Sequence, residues 1–332
     1  MKRLFIQTVI ATVAFAAFGV SHAQTRTIKF ANQNAKGHPI VLGMERFAQL
    51  VETKSGGKMK VAVYPGGALG SDQANISAIQ GGTLEMASMN SGIFASLVKD
   101  FEIYDFPFLF GNPKEADAVV DGPFGQGLHK RLEEKGIVGL AYYELGFRQM
   151  TNSKRPITKV EDIVGLKLRV IPNPINIDWV TALGANPTPL PFPELYAALE
   201  QGAVDGQENP VATIQGAKLN EVQKYMTLTN HQYNPQSVVI SKKFWDTLSA
   251  EEKKIVQDAA NESAKYEREQ SRAAAATILD ALKKAGMQVS ELPPAEVAKL
   301  REKMKPVVAK HSAGAGEANV KAVMAEIEKA RK

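Results

Sequence analysis

Short apolar runs alternate with amphipathic stretches through the first half of the chain. Residues 27–31 (TIKFA) and 59–64 (MKVAVY) predict strands, and the segment from Pro39 between them carries apolar residues at helical spacing. Further elements are predicted at residues 72–79 (helix), 86–89 (strand) and 136–143 (strand). Because strands and helices alternate in this way, the pattern favours a mainly parallel sheet with helices on its faces.

The second half of the chain continues the alternation. Residues 166–170 (LKLRV) predict a strand, residues 176–183 predict a helix, and Pro193 begins a helix that ends before Gly202. The acid–amide run at residues 205–209 (DGQEN) is interpreted as a loop. Residues 237–240 (SVVI) predict a strand that returns the chain to its first half. The polar tail from Ala309 is expected to fray at its end.

One predicted helix is unusually long. Between Ser249 and Ala285 the chain contains no glycine or proline, Ser249 and Glu252 form a capping-box pattern, and Gly286 is suited to end a helix. At 1.5 Å per residue a single helix would be roughly 55 Å long, enough to span two lobes. The alternative is two helices with a break between them. No heptad pattern persists, which argues against a coiled coil.

The N-terminus has the features of an export signal. Lys2 and Arg3 precede an apolar run that ends at Val20, and Ser21-His22-Ala23 matches a cleavage site, so we expect residues 1–23 to be a signal peptide. The alternative is a membrane anchor, which needs about 20 apolar residues. The chain has no cysteine, which excludes disulfides and thiolate metal sites. Both features are typical of a protein of the bacterial periplasm.

Composition and motifs argue against several classes of function. The formal net charge is +5, and the basic residues are interleaved with acids, so we expect no nucleic-acid partner. The sequence has no HExxH, GxSxG, Rossmann or P-loop pattern. We therefore predict no catalytic residues, no metal ligands and no cofactor. Asp205 and Glu208 leave one enzyme alternative open, a periplasmic lyase or hydrolase that uses them for acid–base chemistry.

Two arginines follow predicted strands. Arg169 lies near the carboxyl end of its strand, where open α/β sheets bind ligands, and its planar guanidinium group matches a carboxylate. Arg148 follows the strand at residues 136–143 in the same way. The alternatives are a surface arginine at a strand edge for Arg169 and an exposed loop arginine for Arg148.

Polar residues follow other predicted strands as well. They are Gln33, Asn90, Ser91, Asn173 and Asn209. Asparagine is common in loops for turn geometry alone, so a single one is weak support for a site. Several amides at strand ends, together with two arginines, indicate the rim of a binding site for a small anion.

Three sequence runs resemble one known family. GLKLRV (165–170), GANPTPLPFPELYAALEQGAVDGQENP (184–210) and EVQKYMTLTNH (221–231) are together similar to the DctP-like family, the periplasmic solute-binding subunits of TRAP transporters. The resemblance implies a two-lobed α/β fold of the periplasmic-binding-protein type II class, with mixed, mainly parallel sheets and a long lobe-spanning helix. It implies lobe I at residues 24–147 plus about 236–265, and lobe II at residues 148–235 plus about 266–332.

The resemblance also implies roles for single residues. Arg169 matches the arginine that pairs with the ligand carboxylate in the family, and Arg148 matches its second arginine. Asn173, Asn209 and Phe192 match residues that line the family's pocket. The remaining ligand-binding candidates, most of them in the first lobe, are Asp72, Asn90, Ser91, His38, Gln33 and Gln236.

The expected function is the capture of an organic acid in the periplasm. Neutral amides and the acceptor Asp72 favour a ligand with hydroxyl groups, so we predict a sugar acid, either a hexuronate or an aldonate. A C4-dicarboxylate, sialic acid and a simple 2-hydroxy or keto acid are the alternatives. The implied partners are the small and large integral membrane subunits of a TRAP transporter. Among binding proteins, an ABC-type binding protein is the nearer rival.

Overall fold

The computed structural model describes residues 25–332, so the signal peptide predicted at residues 1–23 lies outside the described residues. The strands are β1 (Arg26–Ala31), β2 (Met59–Tyr64), β3 (Met86–Asn90), β4 (Ile137–Phe147), β5 (Gln149–Asn152), β6 (Lys167–Val170), β7 (Asn186–Pro189), β8 (Gly206–Asn209), β9 (Tyr225–Leu228), β10 (Tyr233–Ser241) and β11 (Gln288–Glu291).

The α-helices are α1 (Pro39–Lys54), α2 (Asp72–Gly81), α3 (Pro113–Val120), α4 (Pro123–Arg131), α5 (Pro174–Ala182), α6 (Leu195–Glu200), α7 (Val211–Gly216), α8 (Lys242–Trp245), α9 (Ala250–Lys284), α10 (Pro294–Ala315) and α11 (Glu317–Arg331). Short 3-10 helices occupy Ser91–Ser96, Lys99–Asp105, Leu132–Lys135, Val160–Ile163, Phe192–Glu194 and Leu219–Glu221.

The first sheet, which forms the centre of lobe I, has the strand order β2-β1-β3-β10-β4. β1 runs parallel to β2 and β3, whereas β10 runs antiparallel to β3 and β4. β10 contains the returning strand that was predicted at residues 237–240. Helices α1 and α9 cover one face of this sheet, where Phe30, Phe47 and Val256 are fully buried.

The second sheet, which forms the centre of lobe II, has the strand order β11-β9-β5-β8-β6-β7. β6 runs parallel to β7 and β8, and β9 runs parallel to β11. β5 runs antiparallel to β8 and β9, so this sheet is mixed like the first. β7 contains Pro187 and Pro189 and lies at the sheet edge, the position at which a strand tolerates proline.

The two lobes are joined by strands and by one long helix. β4 leads through Arg148 directly into β5, and residues 229–232 connect β9 to β10. α9 packs on α1 and β4 in lobe I and on α7 in lobe II. It is one helix of 35 residues, and both hydrogen bonds of the capping box are present at Ser249 and Glu252. The prediction of a single lobe-spanning helix is confirmed.

The structure corrects two sequence-based expectations. Residues 206–209 form strand β8 rather than a loop, because all four residues are buried and the strand pairs with β5. The C-terminal tail forms α10 and α11 instead of fraying, and Val323 and Ile327 are fully buried.

The last helix also bears on the predicted lobe boundaries. α11 packs on α3 and α4 of lobe I, and Arg331 Nε donates to Glu115 Oε1 at 2.9 Å. The boundaries inferred from the sequence assigned this helix to lobe II. In the structure α10 packs on α5 of lobe II and also on the 3-10 helix at Lys99–Asp105 of lobe I, so the C-terminal helices contact both lobes.

Candidate functional site

Arg169 lies on β6, in the cleft between the two lobes. Its side chain is only 2 % exposed, and its Nε and Nη2 donate to the carbonyl oxygen of Leu190 at 2.9 and 2.7 Å. Within residues 25–332 no carboxylate lies close enough to form an ion pair with it. Burial lowers the pKa of Arg169 to about 10, against the opposing charges of Glu208 and Asp72, so the guanidinium group stays charged at neutral pH.

The cleft consists of two adjoining chambers, and Arg169 lines both of them. Both are lined by Gln33, Asn90, Arg169, Ile171 and Phe192. The first chamber is completed by Asn34, Leu145, Arg148, Asn209, Thr213 and Gln236, and the second by Asp72, Gln73, Ile93, Pro172 and Pro191. Each chamber has a volume of about 20 Å³, room for about one water molecule. The cleft is therefore tightly closed in this structure.

Lobe I contributes an acceptor and a donor that have no partner among the described residues. Asp72 Oδ2 accepts hydrogen bonds from Gln33 Nε2 at 3.1 Å and from the Asn90 backbone at 3.3 Å, but its Oδ1 accepts none. Asn90 Nδ2 likewise donates to no described acceptor, and both side chains are 3 % exposed. These two atoms are available to hydrogen-bond a ligand.

The carboxyl group of Asp72 is held in unusual surroundings. Burial raises the pKa of Asp72 to about 7, although the Asn90 backbone N–H and the positive charge of Arg169 both oppose this shift. Near neutral pH, the group therefore changes between an acid that can donate a hydrogen bond and a carboxylate that only accepts.

Arg148 is the second buried arginine beside the cleft, and it is already paired. Its Nε and Nη2 donate to the Glu208 carboxylate, and its Nη1 donates to Asn234 Oδ1 at 2.9 Å. Burial alone would raise the pKa of Glu208, but Arg148 and His231 lower it to about 2. At neutral pH Glu208 is thus an ionised partner of Arg148, which makes it unsuited to acid–base chemistry.

Aromatic and amide side chains complete the lining. The Arg169 guanidinium carbon lies 5.8 Å from the centre of the Phe192 ring, which places a π face beside the cation. Asn209 lines the first chamber and donates through Nδ2 to Gln207. Gln236 reaches the same chamber from β10, where its Oε1 accepts from Ser88 Oγ at 3.3 Å.

Three predicted residues do not line either chamber. Asn173 Nδ2 donates to Asp105 Oδ2 at 2.6 Å, and Ser91 Oγ lies 2.8 Å from Ser237 Oγ. His38 contacts Thr213, which itself lines the first chamber. Direct ligand contact by these three residues stays a prediction that the closed cleft does not support.

The structure brings the other eight predicted residues together. They are Arg169, Arg148, Asn209, Asn90, Asp72, Phe192, Gln33 and Gln236. Among the lining residues that sequence reasoning missed are Leu145, Ile171 and Thr213. The first two lie at strand ends next to the arginines, which is a usable signal. Thr213 lies on a short helix after Pro210, and no pattern in the sequence marks it.

Larger cavities lie elsewhere on the described part of the molecule. One of about 530 Å³ lies between α1 and α9, and one of about 410 Å³ lies beside Leu145 and Leu279. Arg46 in the former is exposed, and Arg272 in the latter is paired with Glu144 at 2.6 Å. Size alone therefore does not identify the site, whereas a buried arginine without a carboxylate partner does.

Residues 25–332 lack two features that would point to other functions. No group of three or more His, Asp or Glu side chains in this range has an arrangement that would hold a metal ion. No helix in the same range combines the length and the apolar character needed to cross a membrane.

Comparisons with known proteins point to one family. A sequence profile described as "Bacterial extracellular solute-binding protein, family 7" (DctP) matches residues 30–314. A solved TRAP periplasmic solute-binding protein from Ochrobactrum anthropi is 55% identical, with a TM-score of 0.82, covering 93% of this chain and 97% of that chain.

Two further proteins differ in the ligands that their names state. The sugar acid binding protein DctPAm from Advenella mimigardefordensis, solved with galactonate, is 42% identical, with a TM-score of 0.91, covering 92% of this chain and 99% of that chain. The C4-dicarboxylate-binding periplasmic protein DctP of Rhodobacter capsulatus is 35% identical over 309 residues, 92% of each protein.

Proposed function

Because the chain belongs to family 7 of the bacterial extracellular solute-binding proteins, the DctP family, we propose that it captures a sugar acid, either an aldonate or a hexuronate. Membership makes it a solute-binding protein of TRAP transport rather than an enzyme. The finer proposal concerns the ligand, the residues that hold it and the proteins that receive it.

The observation that carries the proposal is the unpaired charge of Arg169. A buried cation is costly unless an anion compensates it, and the Leu190 carbonyl supplies only a partial negative charge. A ligand carboxylate would complete the pair through the guanidinium nitrogens that face the chamber. Such charge-assisted hydrogen bonds are stronger than neutral ones, and the planar fork fixes the direction from which the acid enters.

Asp72 distinguishes a polyhydroxy acid from a diacid. Its unpartnered Oδ1 accepts a hydroxyl hydrogen readily, whereas an ionised Asp72 would repel a second carboxylate. Asn90 Nδ2, Gln33 and Asn209 add neutral groups suited to hydroxyls. The similar protein from Advenella mimigardefordensis, solved with galactonate, supports the same ligand class.

Ligand entry requires the lobes to move. Chambers of about 20 Å³ are far too small for a sugar acid, so the cleft must widen to admit one. The connections through Arg148 and residues 229–232 are short, which suits them to act as hinges. We infer that a wider cleft binds the acid and that closure around it removes the carboxylate and Arg169 from water.

We further propose that the closed protein delivers its ligand to the small and large integral membrane subunits of a TRAP transporter. The similarity to the Ochrobactrum anthropi protein supports this assignment. Residues 1–23 would serve as the signal peptide that brings the chain to the periplasm.

A thermal-shift panel tests the ligand class. The purified protein is heated with galactonate, galacturonate, erythronate or succinate, and with galactose as a neutral control of similar shape. A sugar acid at 100 times its Kd stabilises the folded state by about 2.7 kcal/mol and raises the Tm, whereas galactose leaves it unchanged. No shift with any acid would overturn the proposal.

A C4-dicarboxylate is the second candidate, and one observation favours it. The raised pKa of Asp72, about 7, means that a protonated Asp72 can donate a hydrogen bond to a second carboxylate. The similar DctP of Rhodobacter capsulatus is named for C4-dicarboxylates. A larger thermal shift with succinate than with any sugar acid would establish this alternative.

A further inference from the structure

His38 and Thr213 form a polar contact between the lobes beside the ligand cleft. His38 is the N-cap residue of α1 in lobe I, whereas Thr213 lies on α7, whose Ile214 is buried in lobe II. His38 Nε2 lies 3.2 Å from Thr213 Oγ1, and both side chains are buried. Because Thr213 lines the first chamber, the contact lies next to the ligand without requiring His38 to touch it.

One neutral tautomer of His38 satisfies both of its contacts. Nδ1 lies 3.2 Å from the backbone nitrogen of Ile40 and accepts that hydrogen, which caps α1. Nε2 therefore carries the ring proton and donates it to Thr213 Oγ1. A second proton on Nδ1 would remove the N-cap and place a charge in buried surroundings.

In the described part of the chain, no neighbouring charge compensates a protonated His38. From α7 the ring meets Thr213 and Gly216, neither of which titrates, and Lys36 on its own segment is exposed. Burial lowers the pKa of His38 to about 3, and no charged residue contributes to this shift. The closed cleft therefore admits only the neutral ring at any pH above about 3.

An open cleft places the ring in different surroundings. The contact joins α1 of lobe I to α7 of lobe II, so it requires the two lobes to be close together, as they are in the closed form. When the lobes separate, Thr213 moves away from His38 and water replaces it. We expect the pKa of the ring then to rise toward the ordinary histidine value of 6.5.

We propose that the His38–Thr213 hydrogen bond is a latch that holds the cleft closed over the solute, and that closure expels a proton from His38 in mildly acidic surroundings. The inference rests on the proposed function, because a latch of this kind needs a solute to retain.

The direction of the pH effect follows from the two protonation states. The closed form binds fewer protons at His38 than the open form. Above about pH 6.5 the ring is mostly neutral in both forms, so protonation of His38 does not affect the free energy of closure. Below that value, each pH unit disfavours closure by about tenfold, until the pH approaches 3. Solute affinity therefore decreases as the surroundings become more acidic.

The variant His38→Asn removes the hydrogen bond to Thr213 but keeps the N-cap of α1. Asparagine is a strong N-cap residue, so α1 keeps its cap, but its side chain is too short to reach Thr213. Calorimetry at pH 7.5 and 5.5 compares wild type with this variant, using the acid of the panel that gives the largest thermal shift. Two buffers of different ionisation enthalpy give the number of protons released on binding.

At pH 7.5 we expect His38→Asn to bind about two- to tenfold more weakly, the value of one lost hydrogen bond. Between pH 7.5 and 5.5 the wild type should lose about tenfold more affinity than the variant. At pH 5.5 it should release about 0.9 more protons. Asp72 is present in both proteins, so its own titration cancels in this difference.

Variants of Thr213 test the hydrogen bond itself. Thr213→Val should weaken binding at pH 7.5 by a similar factor in wild type, but by clearly less in the His38→Asn background, where the hydrogen bond is already absent. Solute binding with equal pH profiles and equal proton counts in wild type and His38→Asn would overturn the latch alone. Binding of no acid in the panel would overturn the proposed function, and the latch with it.

Discussion

Arg148 and Arg169 are both buried beside the cleft, but their surroundings differ. Arg148 is bonded to the Glu208 carboxylate and to Asn234, so the chain itself supplies its counter-charge. Within residues 25–332, Arg169 is bonded only to the carbonyl oxygen of Leu190. Both side chains are buried, so burial does not distinguish the two arginines. They differ in whether a carboxylate of the chain is bonded to them. We conclude that the paired arginine supports the fold and the unpaired one serves the ligand.

The two acids near the cleft show the same contrast. Glu208, paired with Arg148, has its pKa lowered to about 2, whereas burial raises the pKa of Asp72 to about 7. The first stabilises the folded state as a carboxylate, and the second has an oxygen with no partner in the described chain. Unsatisfied groups from both lobes thus face the same small volume.

The largest expected effect comes from replacing the paired arginine, Arg148. Arg148→Met removes the guanidinium group that pairs with buried Glu208, so the free energy of unfolding should fall by about 3–5 kcal/mol, measured by urea denaturation. Arg169→Met is the matched control and should change this free energy by less than about 1 kcal/mol or raise it. Equal losses in the two variants would remove the distinction between the arginines.

The next largest effect is expected in the free energy of unfolding as the pH is lowered. A carboxylate whose pKa is lowered by folding stabilises the protein above its unfolded value of 4.5 and loses that contribution as the pH falls toward 2. Wild type should lose roughly 3 kcal/mol from Glu208 over this range. Glu208→Gln should start less stable and decline less steeply. Parallel curves for both proteins would contradict the ion pair.

Ligand selectivity should respond to Asp72. Asp72→Asn removes the negative charge that repels a second carboxylate, so succinate should bind about tenfold more tightly at pH 8, a change of about 1.4 kcal/mol. At pH 5, where Asp72 is mostly protonated, the gain should largely disappear. Calorimetry at both pH values checks this. An equal gain at both would show that charge is not the cause.

The smallest expected effect concerns the ring beside Arg169. Phe192→Leu keeps the apolar contact but removes the π face 5.8 Å from the guanidinium carbon. A cation–π contact of this kind contributes about 0.5–1 kcal/mol, so affinity for the acid should fall about two- to fivefold. Phe192→Tyr keeps the π face and should bind like wild type.

Much of the fold could be predicted because local pattern and tertiary structure agree. The β1–α1–β2–α2–β3 succession and α9 follow from apolar spacing, caps and glycine positions. β8 could not be found in this way, because its polar residues are buried only where β5 pairs with them. α11 was a missed signal, since Val320, Val323 and Ile327 have helical spacing.

The candidate site likewise contains features that could be predicted from the sequence and features that could not. Arg169 was predictable because the end of a strand and the planar charge are both visible in the sequence. The pairing of Arg148 with Glu208 was not, since it joins residues 60 positions apart through the β5–β8 register. His38 was assigned to the ligand, whereas the structure places its ring against Thr213.

The central claim is that the carboxylate partner of Arg169 comes from the ligand and not from the chain itself. The most direct test is calorimetric titration of wild type and Arg169→Met with the acid that gives the largest thermal shift. The loss of a buried charge pair should weaken binding by about 2–5 kcal/mol, at least thirtyfold, while urea denaturation shows an intact fold. Unchanged affinity in a folded Arg169→Met protein would contradict the account.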